Sequence, residues 1–122
     1  MPPSQSTATG GRPIDTMRAC IEACQACAVA CDHCSTACLQ EDDVKAMARC
    51  IALDMDCAQV CRTAAAYMAR GSAFASDLCR LCADVCDACA DECGKHPMDH
   101  CQACAQACRR CAEACRGMAG AA

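Results

Sequence analysis

The chain has 122 residues and a net charge of −4, and 19 of its residues are Cys. Leu, Ile, Val and Phe together number only 12, which is too few for an ordinary hydrophobic core, so cysteines must fill the interior if the chain folds. The lack of a basic block argues against nucleic acid as a partner, and no apolar run in the sequence is long enough to span a membrane.

The two ends of the chain are predicted to be tails around a single domain. Residues 1–14 are rich in Pro, Ser, Thr and Gly and predict a flexible N-terminal tail, while residues 119–122 predict a short C-terminal one. The first segment has no apolar stretch typical of a signal peptide. Together with the odd number of Cys, this favours reduced thiols and a cytoplasmic location over a secreted disulfide scaffold.

The first predicted helix covers about residues 16–39 and begins after Asp15, a favourable N-cap residue. Its cysteines follow one another at alternating gaps of four and three residues. That spacing averages about 3.5 residues, the repeat of a helix face buried in a left-handed bundle, whereas a strand would need a period of about two. The stripe consists of Cys20, Cys24, Cys27, Cys31, Cys34 and Cys38.

The second predicted helix covers about residues 43–69, with Asp42 as its cap and Gly71 just beyond its end. Asp54 occupies a position on its buried face where the pattern requires Cys. A buried carboxylate is costly, so we expect Asp54 to be protonated, hydrogen-bonded to thiols or to an Arg, or a weak metal ligand. The rest of this stripe is sparse and consists of Cys50, Cys57 and Cys61.

The third and fourth predicted helices cover about residues 73–93 and 97–116. Ser72 is the predicted cap of the third helix and Gly94 follows its end, while Gly117 closes the fourth. Each helix carries a stripe with gaps of three and four residues. The third stripe is Cys79, Cys82, Cys86, Cys89 and Cys93, and the fourth is Cys101, Cys104, Cys108, Cys111 and Cys115.

These stripes predict an all-α protein, an antiparallel up-down-up-down four-helix bundle over residues 15–118 with a Cys-lined core. The helices must run antiparallel because the predicted connections are only a few residues long. Aligning the stripes through these connections places side chains from several helices at each level of the core. The alignment puts Cys31 beside Cys50, Cys93 and Cys101, and Cys27 beside Asp54, Cys89 and Cys104.

A column of thiols along the bundle axis predicts a site for a soft metal. Thiolates favour Cu(I), zinc and iron–sulfur clusters. Zinc prefers closed sets of four ligands, and the cysteine run of bacterial ferredoxins is missing from the sequence. Cu(I) accepts two or three thiolates, lets one sulfur bridge several ions, and leaves a neutral core at one ion per thiolate. We therefore predict several Cu(I) ions per chain, on the order of one per Cys, with all the cysteines as ligands.

The two ends of the predicted bundle differ. One end carries Met17, Met68 and Met118, which predict a hydrophobic plug. At the other end, the first helix carries two cysteines beyond the level where the stripes of the other helices stop, so Cys34 and Cys38 need other partners. The candidate auxiliary ligands, and hence the candidates for copper uptake at this end, are Met47, His96, Met98 and His100, with Asp54 deeper in the core.

The repeated C-x-x-x-C-x-x-C runs in an Ala-rich chain of this size resemble those of the cytosolic copper storage proteins of bacteria. The resemblance covers roughly residues 15–118. It implies a Cys-lined four-helix bundle, often a homotetramer, that holds many Cu(I) ions and is loaded at one end with the help of His or Met. A copper chaperone or a small-thiol donor would be its partner.

The predicted function is therefore storage or buffering of Cu(I) in the cytoplasm. We expect no enzymatic activity, since the sequence offers no nucleophile with a base and a closed column of sulfur offers no substrate pocket. Two alternatives stay open. One is a general soft-metal protein that sequesters and detoxifies zinc, cadmium or silver, and the other is an electron carrier with iron–sulfur clusters.

Overall fold

The computed structural model describes residues 14–120, which form helices and no strand. Helix α1 covers Ile14–Cys38, α2 covers Ala48–Ala69, α3 covers Ala75–Cys93 and α4 covers Asp99–Gly120, while a short 3₁₀ helix, Val44–Met47, precedes α2. The predicted N-terminal tail up to residue 13 and the last two residues of the C-terminal tail lie outside the described part of the chain. The prediction of an all-α fold is confirmed.

The four helices pack as a bundle in which each helix contacts the next one in the chain and α4 returns to α1. Helices α1 and α2 run in opposite directions. The sulfur atoms of Cys38 and Cys50 lie 4.0 Å apart, and those of Cys27, earlier in α1, and Cys57, later in α2, lie 3.7 Å apart. Sequence neighbours are therefore antiparallel, as predicted. Within residues 14–120, no helix has both the length and the apolar character that crossing a membrane requires.

The connection between α1 and α2 differs from the predicted one. Helix α1 begins at Ile14, so Asp15 lies in its first turn instead of capping it. Asp43, and not Asp42, accepts a hydrogen bond from the backbone N–H of Ala46 at 3.3 Å and caps the 3₁₀ helix. The chain thus turns out of α1 and passes through a 3₁₀ segment before α2 begins, where we predicted one continuous α-helix.

Gly71 ends α2 as predicted, because its φ of 66° lies in the left-handed region that L side chains rarely adopt. Its backbone N–H donates to the carbonyl oxygen of Met68 at 3.0 Å. Helix α3 begins at Ala75, slightly later than predicted. Ser72 acts in the turn before it, where its hydroxyl oxygen accepts a hydrogen bond from the Phe74 N–H at 3.1 Å.

Gly94 follows α3 as predicted, but the reason is lack of space and not an unusual backbone conformation. Its φ is −63°, and a Cβ atom there would lie 3.0 Å from the carbonyl oxygen of Ala90 and 3.1 Å from the guanidinium group of Arg109. The Gln102 side-chain amide closes the same turn by donating to the carbonyl oxygens of Gly94 and His96, at 3.2 and 2.7 Å. The turn therefore brings the start of α4 tightly against the end of α3.

The predicted end of α4 was wrong. The helix passes through Gly117 and continues to residue 120 instead of stopping near 116. Gly costs about 1 kcal/mol relative to Ala inside a helix, and burial of one Met side chain contributes about 1.5–3 kcal/mol. Met118 is only 6% exposed, so its packing against the core outweighs the cost of the glycine and extends the helix.

The core of the bundle consists almost wholly of thiol and methyl groups. Every cysteine is buried, with Cys20 the most exposed of them at 2%. Buried alanines such as Ala58, Ala83 and Ala105 lie among the thiols, and their small size lets the helices approach closely. The prediction of a Cys-lined core is confirmed.

Candidate metal centre

The cysteine stripes of the four helices meet along the bundle axis and form a column of free thiols. Neighbouring sulfur atoms lie between 3.2 and 4.0 Å apart, both along one helix and between helices. The shortest of these distances, 3.2 Å, joins Cys50 on α2 to Cys93 on α3. The structure therefore brings the predicted cysteine ligands together in one continuous site.

Helix α1 is shifted by one stripe position relative to the predicted levels, whereas the other three helices keep their predicted alignment. Cys31 lies 3.6 Å from Cys104, and it is Cys34 that lies beside Cys101, at 3.9 Å. The predicted pairing of α1 was wrong because the chain passes through a turn and a 3₁₀ helix after α1, so that α2 begins only at Ala48 and Cys50 lies in its first turn, beside the end of α1. Cys34 thus has thiol neighbours at its own level, and only Cys38 extends beyond them.

Groups of four sulfur atoms lie within 4.8 Å of one another, as the ligands of one ion would. The groups overlap, because Cys27, Cys31, Cys57 and Cys108 each belong to two of them. Five of these groups are Cys24/Cys82/Cys111/Cys115, Cys27/Cys57/Cys61/Cys86, Cys27/Cys31/Cys57/Cys108, Cys31/Cys89/Cys104/Cys108 and Cys34/Cys38/Cys50/Cys101.

Overlap between the groups decides which metal the column suits. A structural zinc site is a closed tetrahedron whose ligands serve one ion, and four thiolates around Zn²⁺ leave a buried charge of −2. A sulfur shared by two groups must instead bridge two ions. Bridging thiolates and two or three ligands per ion are compatible with a soft monovalent cation, which also neutralises the thiolate charge ion by ion.

Burial favours the protonated thiol at one end of the column before metal binds. Burial raises the pKa of Cys101 to about 11, and burial also raises the pKa of Cys38 far above that of an exposed thiol. Thiolate is the form that binds metal, so each ion that enters must displace protons. A monovalent ion that displaces one proton from a thiol leaves the charge of the buried core unchanged.

Asp54 lies within the column, fully buried, where it replaces a thiol of α2. Its Oδ1 accepts hydrogen bonds from the thiols of Cys89 and Cys104 at 3.2 Å and of Cys93 at 3.3 Å. Its Oδ2 lies 3.9 Å from the sulfur of Cys50. Burial away from water raises the pKa of Asp54 to about 10, so the carboxyl group is protonated at neutral pH. Within residues 14–120, Asp54 thus contacts thiols and no Arg.

His100 faces the thiols at the end of the column near the turns that precede α2 and α4. Its Nδ1 lies 3.5 Å from the sulfur of Cys34, 3.5 Å from that of Cys101 and 4.0 Å from that of Cys38. Its Nε2 lies 2.9 Å from a carboxylate oxygen of Glu41. Of the two histidines predicted as auxiliary ligands, His100 is the one that lies directly beside sulfur atoms.

His96 lies at the same end but contacts a carboxylate instead of thiols. Its Nε2 is 3.1 Å from an oxygen of Glu92, a residue only 8% exposed. The same carboxylate lies 3.4 Å from the side chains of Arg49 and Lys95, so it joins α2 to the end of α3. Among the residues that the structure describes, no sulfur atom lies within hydrogen-bonding distance of His96.

Methionines lie at both ends of the column. Near His100, Met47 is 2% exposed and Met98 is partly buried against the core. At the opposite end, Met68 is fully buried, Met118 is 6% exposed and Met17 is partly buried. The second group packs with the core as a hydrophobic plug would, whereas the first adds thioether sulfur to the end that also carries imidazole.

Two acidic residues of the site, Glu41 and Glu92, were not predicted from the sequence. Glu92 could have been found, because it precedes His96 by four residues and the two share one side of a helix end. No local pattern indicates Glu41, whose partner His100 is 59 residues away along the chain. Only the folded bundle brings that pair together.

The fold and the site together define a class of protein, a four-helix bundle whose core binds several soft metal ions on shared thiols. The sequence profile described as copper storage protein, Csp, matches residues 14–120, and the chain belongs to this family. The resemblance noted from the cysteine runs is therefore confirmed.

Several known proteins are similar to this chain over most of its length. The uncharacterized cysteine-rich protein YhjQ of Bacillus subtilis (strain 168) is 54% identical over 83 residues, which cover 68% of this chain and 77% of YhjQ. The Cu(I)-bound structure of copper storage protein BsCsp3 is 53% identical with a TM-score of 0.82, covering 85% of this chain and 98% of that one. Streptomyces lividans Ccsp loaded with 10 copper equivalents is 40% identical with a TM-score of 0.89, covering 98% and 93%.

Proposed function

We propose that this chain stores Cu(I) on the thiolates of its core and does so in the cytoplasm. The observation that carries the proposal is the overlap between groups of four thiols, which suits an ion that tolerates bridging sulfur. The relatives support the same function, because BsCsp3 is Cu(I)-bound and Ccsp carries 10 copper equivalents. A further Streptomyces lividans structure is of a cytosolic copper storage protein, which supports the cytoplasmic location.

The proposed capacity is on the order of one Cu(I) per Cys, or roughly 19 ions per chain. At that ratio every bound ion replaces one thiol proton and the buried core stays neutral. Isolated sites of two thiolates each would hold only about half as many ions. Storage needs no chemical step, so the proposal includes no enzymatic activity.

The proposed end for copper uptake is the one that carries His100. Imidazole and thioether bind Cu(I) more weakly than thiolate does, which suits a transfer site better than a storage site. Turns between helices also open more readily than the middle of a bundle. A copper chaperone or a small-thiol donor would deliver the ion there.

Triple replacement by Ala tests this direction of loading. In the test variant, Ala replaces His96, Met98 and His100. This variant should take up Cu(I) from a donor more slowly, at nearly unchanged capacity. In the control variant, Ala replaces Met17, Met68 and Met118. This variant should load at the wild-type rate. The opposite pattern of rates would show that copper enters at the other end.

We also propose that the chain assembles with copies of itself, as a tetramer by analogy with the family. Apolar side chains remain on the outside of the bundle, with Val29 65% exposed and Leu81 51% exposed. A shallow groove between α1 and α2 has the apolar lining that an interface between copies requires, with Ile21, Val29 and Ala66 among its residues. Light scattering coupled to size-exclusion chromatography tests the assembly, and a monomeric mass at micromolar concentration would contradict it.

An anaerobic Cu(I) titration against a chromophoric chelator tests the storage function. We expect uptake to continue to on the order of one ion per Cys before free chelator complex accumulates. The same titration with Zn²⁺, Cd²⁺ and Ag⁺ addresses the general soft-metal alternative. Saturation near four ions with a preference for zinc would overturn copper storage. A brown protein with visible absorption would instead favour the iron–sulfur alternative, because Cu(I) thiolates are colourless.

A further inference from the structure

The ring of His100 is held from two sides. Glu41 lies in the turn directly after α1, where its backbone N–H donates to the carbonyl oxygen of Cys38 at 3.2 Å. Its carboxylate reaches across to the first turn of α4 and meets Nε2 of His100 at 2.9 Å. The side chains of His100 and Glu41 are only 15% and 32% exposed, so the contact is partly shielded from water. The backbone that carries a thiol of the column thus also positions the carboxylate.

We propose that Glu41 is a positioning residue that selects the Nε2-protonated form of His100 and so presents Nδ1 to incoming Cu(I). The inference rests on the proposed storage function. An ionised carboxylate only accepts hydrogen bonds, so Nε2 must carry the proton that joins the two side chains. In the neutral ring, Nδ1 then has a free lone pair. That lone pair lies beside the sulfur atoms of Cys34 and Cys101, each at 3.5 Å.

This arrangement distinguishes the two histidines at this end. Glu92 binds His96, but it is also paired with Arg49 and Lys95, and no sulfur atom in residues 14–120 lies within hydrogen-bonding distance of the His96 ring. In the described residues, no Lys or Arg side chain lies within ion-pair distance of Glu41. A carboxylate that binds the distal nitrogen of a ligating His fixes the ring and raises the basicity of the other nitrogen. Glu41 therefore prepares His100, and not His96, for metal.

The first measurement begins with the wild type and needs no copper. In metal-free, reduced, full-length protein with ¹⁵N-labelled histidine, long-range ¹H–¹⁵N correlation spectra report which ring nitrogen carries the proton. We expect His100 to be protonated at Nε2 in the wild type. In Glu41→Ala we expect a mixture of both forms, and in Glu41→Gln, which keeps an acceptor oxygen, a return to the Nε2-protonated form. Asp42→Ala is the control, since it removes the same charge from the same exposed turn.

The second measurement is the rate of Cu(I) transfer from a chromophoric chelator complex. Loss of a partner of this kind costs about 10–100-fold at a metal-binding His, so Glu41→Ala should take up the first Cu(I) at least about tenfold more slowly. Total capacity should stay that of the wild type, because the thiols are intact. Glu41→Gln and Asp42→Ala should load nearly as fast as the wild type.

Three results would overturn the inference. Protonation of wild-type His100 at Nδ1 would contradict it without reference to copper, even if Glu41→Ala did not fold. If Glu41→Ala and Asp42→Ala load at equal rates and the wild type reaches full capacity, the role of Glu41 is refuted and the storage function is not. Failure of the wild type itself to take up more than a few Cu(I) ions would overturn the storage function and, with it, the copper step of this inference.

Discussion

Replacement of Asp54 by Asn should stabilise the metal-free protein at neutral pH. Burial raises the pKa of this carboxyl group to about 10, against 3.8 for an unburied one. Between these two values the unfolded chain has lost the proton and the folded chain keeps it, so stability falls as pH rises. At about 1.36 kcal/mol per pH unit, the distance from 3.8 to 7 gives a cost of about 4 kcal/mol at pH 7.

Asn has the shape of a protonated Asp, and its amide oxygen can still accept hydrogen bonds from the thiols of Cys89 and Cys104. Asp54→Asn therefore removes the proton uptake and keeps the packing. Urea denaturation followed by circular dichroism, under anaerobic reducing conditions at pH 5, 6 and 7, measures the free energy of unfolding. The wild type should lose about 1.4 kcal/mol per pH unit relative to the variant.

The control for this experiment is Asp56→Asn. Asp56 is exposed on the same helix, so its replacement removes no buried carboxyl group and should leave the pH dependence unchanged. Parallel stability profiles for the wild type and Asp54→Asn would refute the argument. They would mean that the carboxyl group of Asp54 remains ionised in the folded state or reaches water.

Three further predictions follow from packing and from the shared thiols. Gly94→Ala should destabilise the protein by about 1–3 kcal/mol because its methyl group would lie 3.0 Å from a backbone oxygen, whereas Gly117→Ala meets nothing within 4 Å and should stabilise by up to about 1 kcal/mol. Equal shifts of Tm for both would rule out crowding at Gly94. Cys57→Ser should lower the Cu(I) capacity by about two ions, since Cys57 belongs to two overlapping groups of thiols. Cys20→Ser should lower it by about one ion, since Cys20 is the first cysteine of α1 and contacts Cys115 at 3.8 Å. Equal losses in the titration would contradict bridging. All 19 thiols should react with a thiol reagent in denatured, metal-free protein, and a lower count would indicate disulfides. Binding of Cu(I) should raise the Tm by more than about 10 °C.

Much of the fold could be predicted from the spacing of the cysteines. Gaps of three and four residues define a helix face by themselves, because the period of the helix is a local property of the backbone. The sequence also identified Asp54 as the residue out of pattern, and the structure places it in the column with three thiols on one oxygen. The ends of the helices were harder to predict from the sequence. At Gly117, the packing of the next residue, Met118, decides whether the helix continues.

Local periodicity determined that these side chains face inward, but it could not determine which of them meet. The level of α1 depends on where α2 begins after the connection, and the start of α2 at Ala48 places Cys34, and not Cys31, beside Cys101. The pairing of Glu41 with His100 depends on the same connection, because the turn that ends α1 must come to rest against the start of α4. Contacts between distant residues are set by helix packing and loop geometry together, and neither is encoded in the spacing within a single helix.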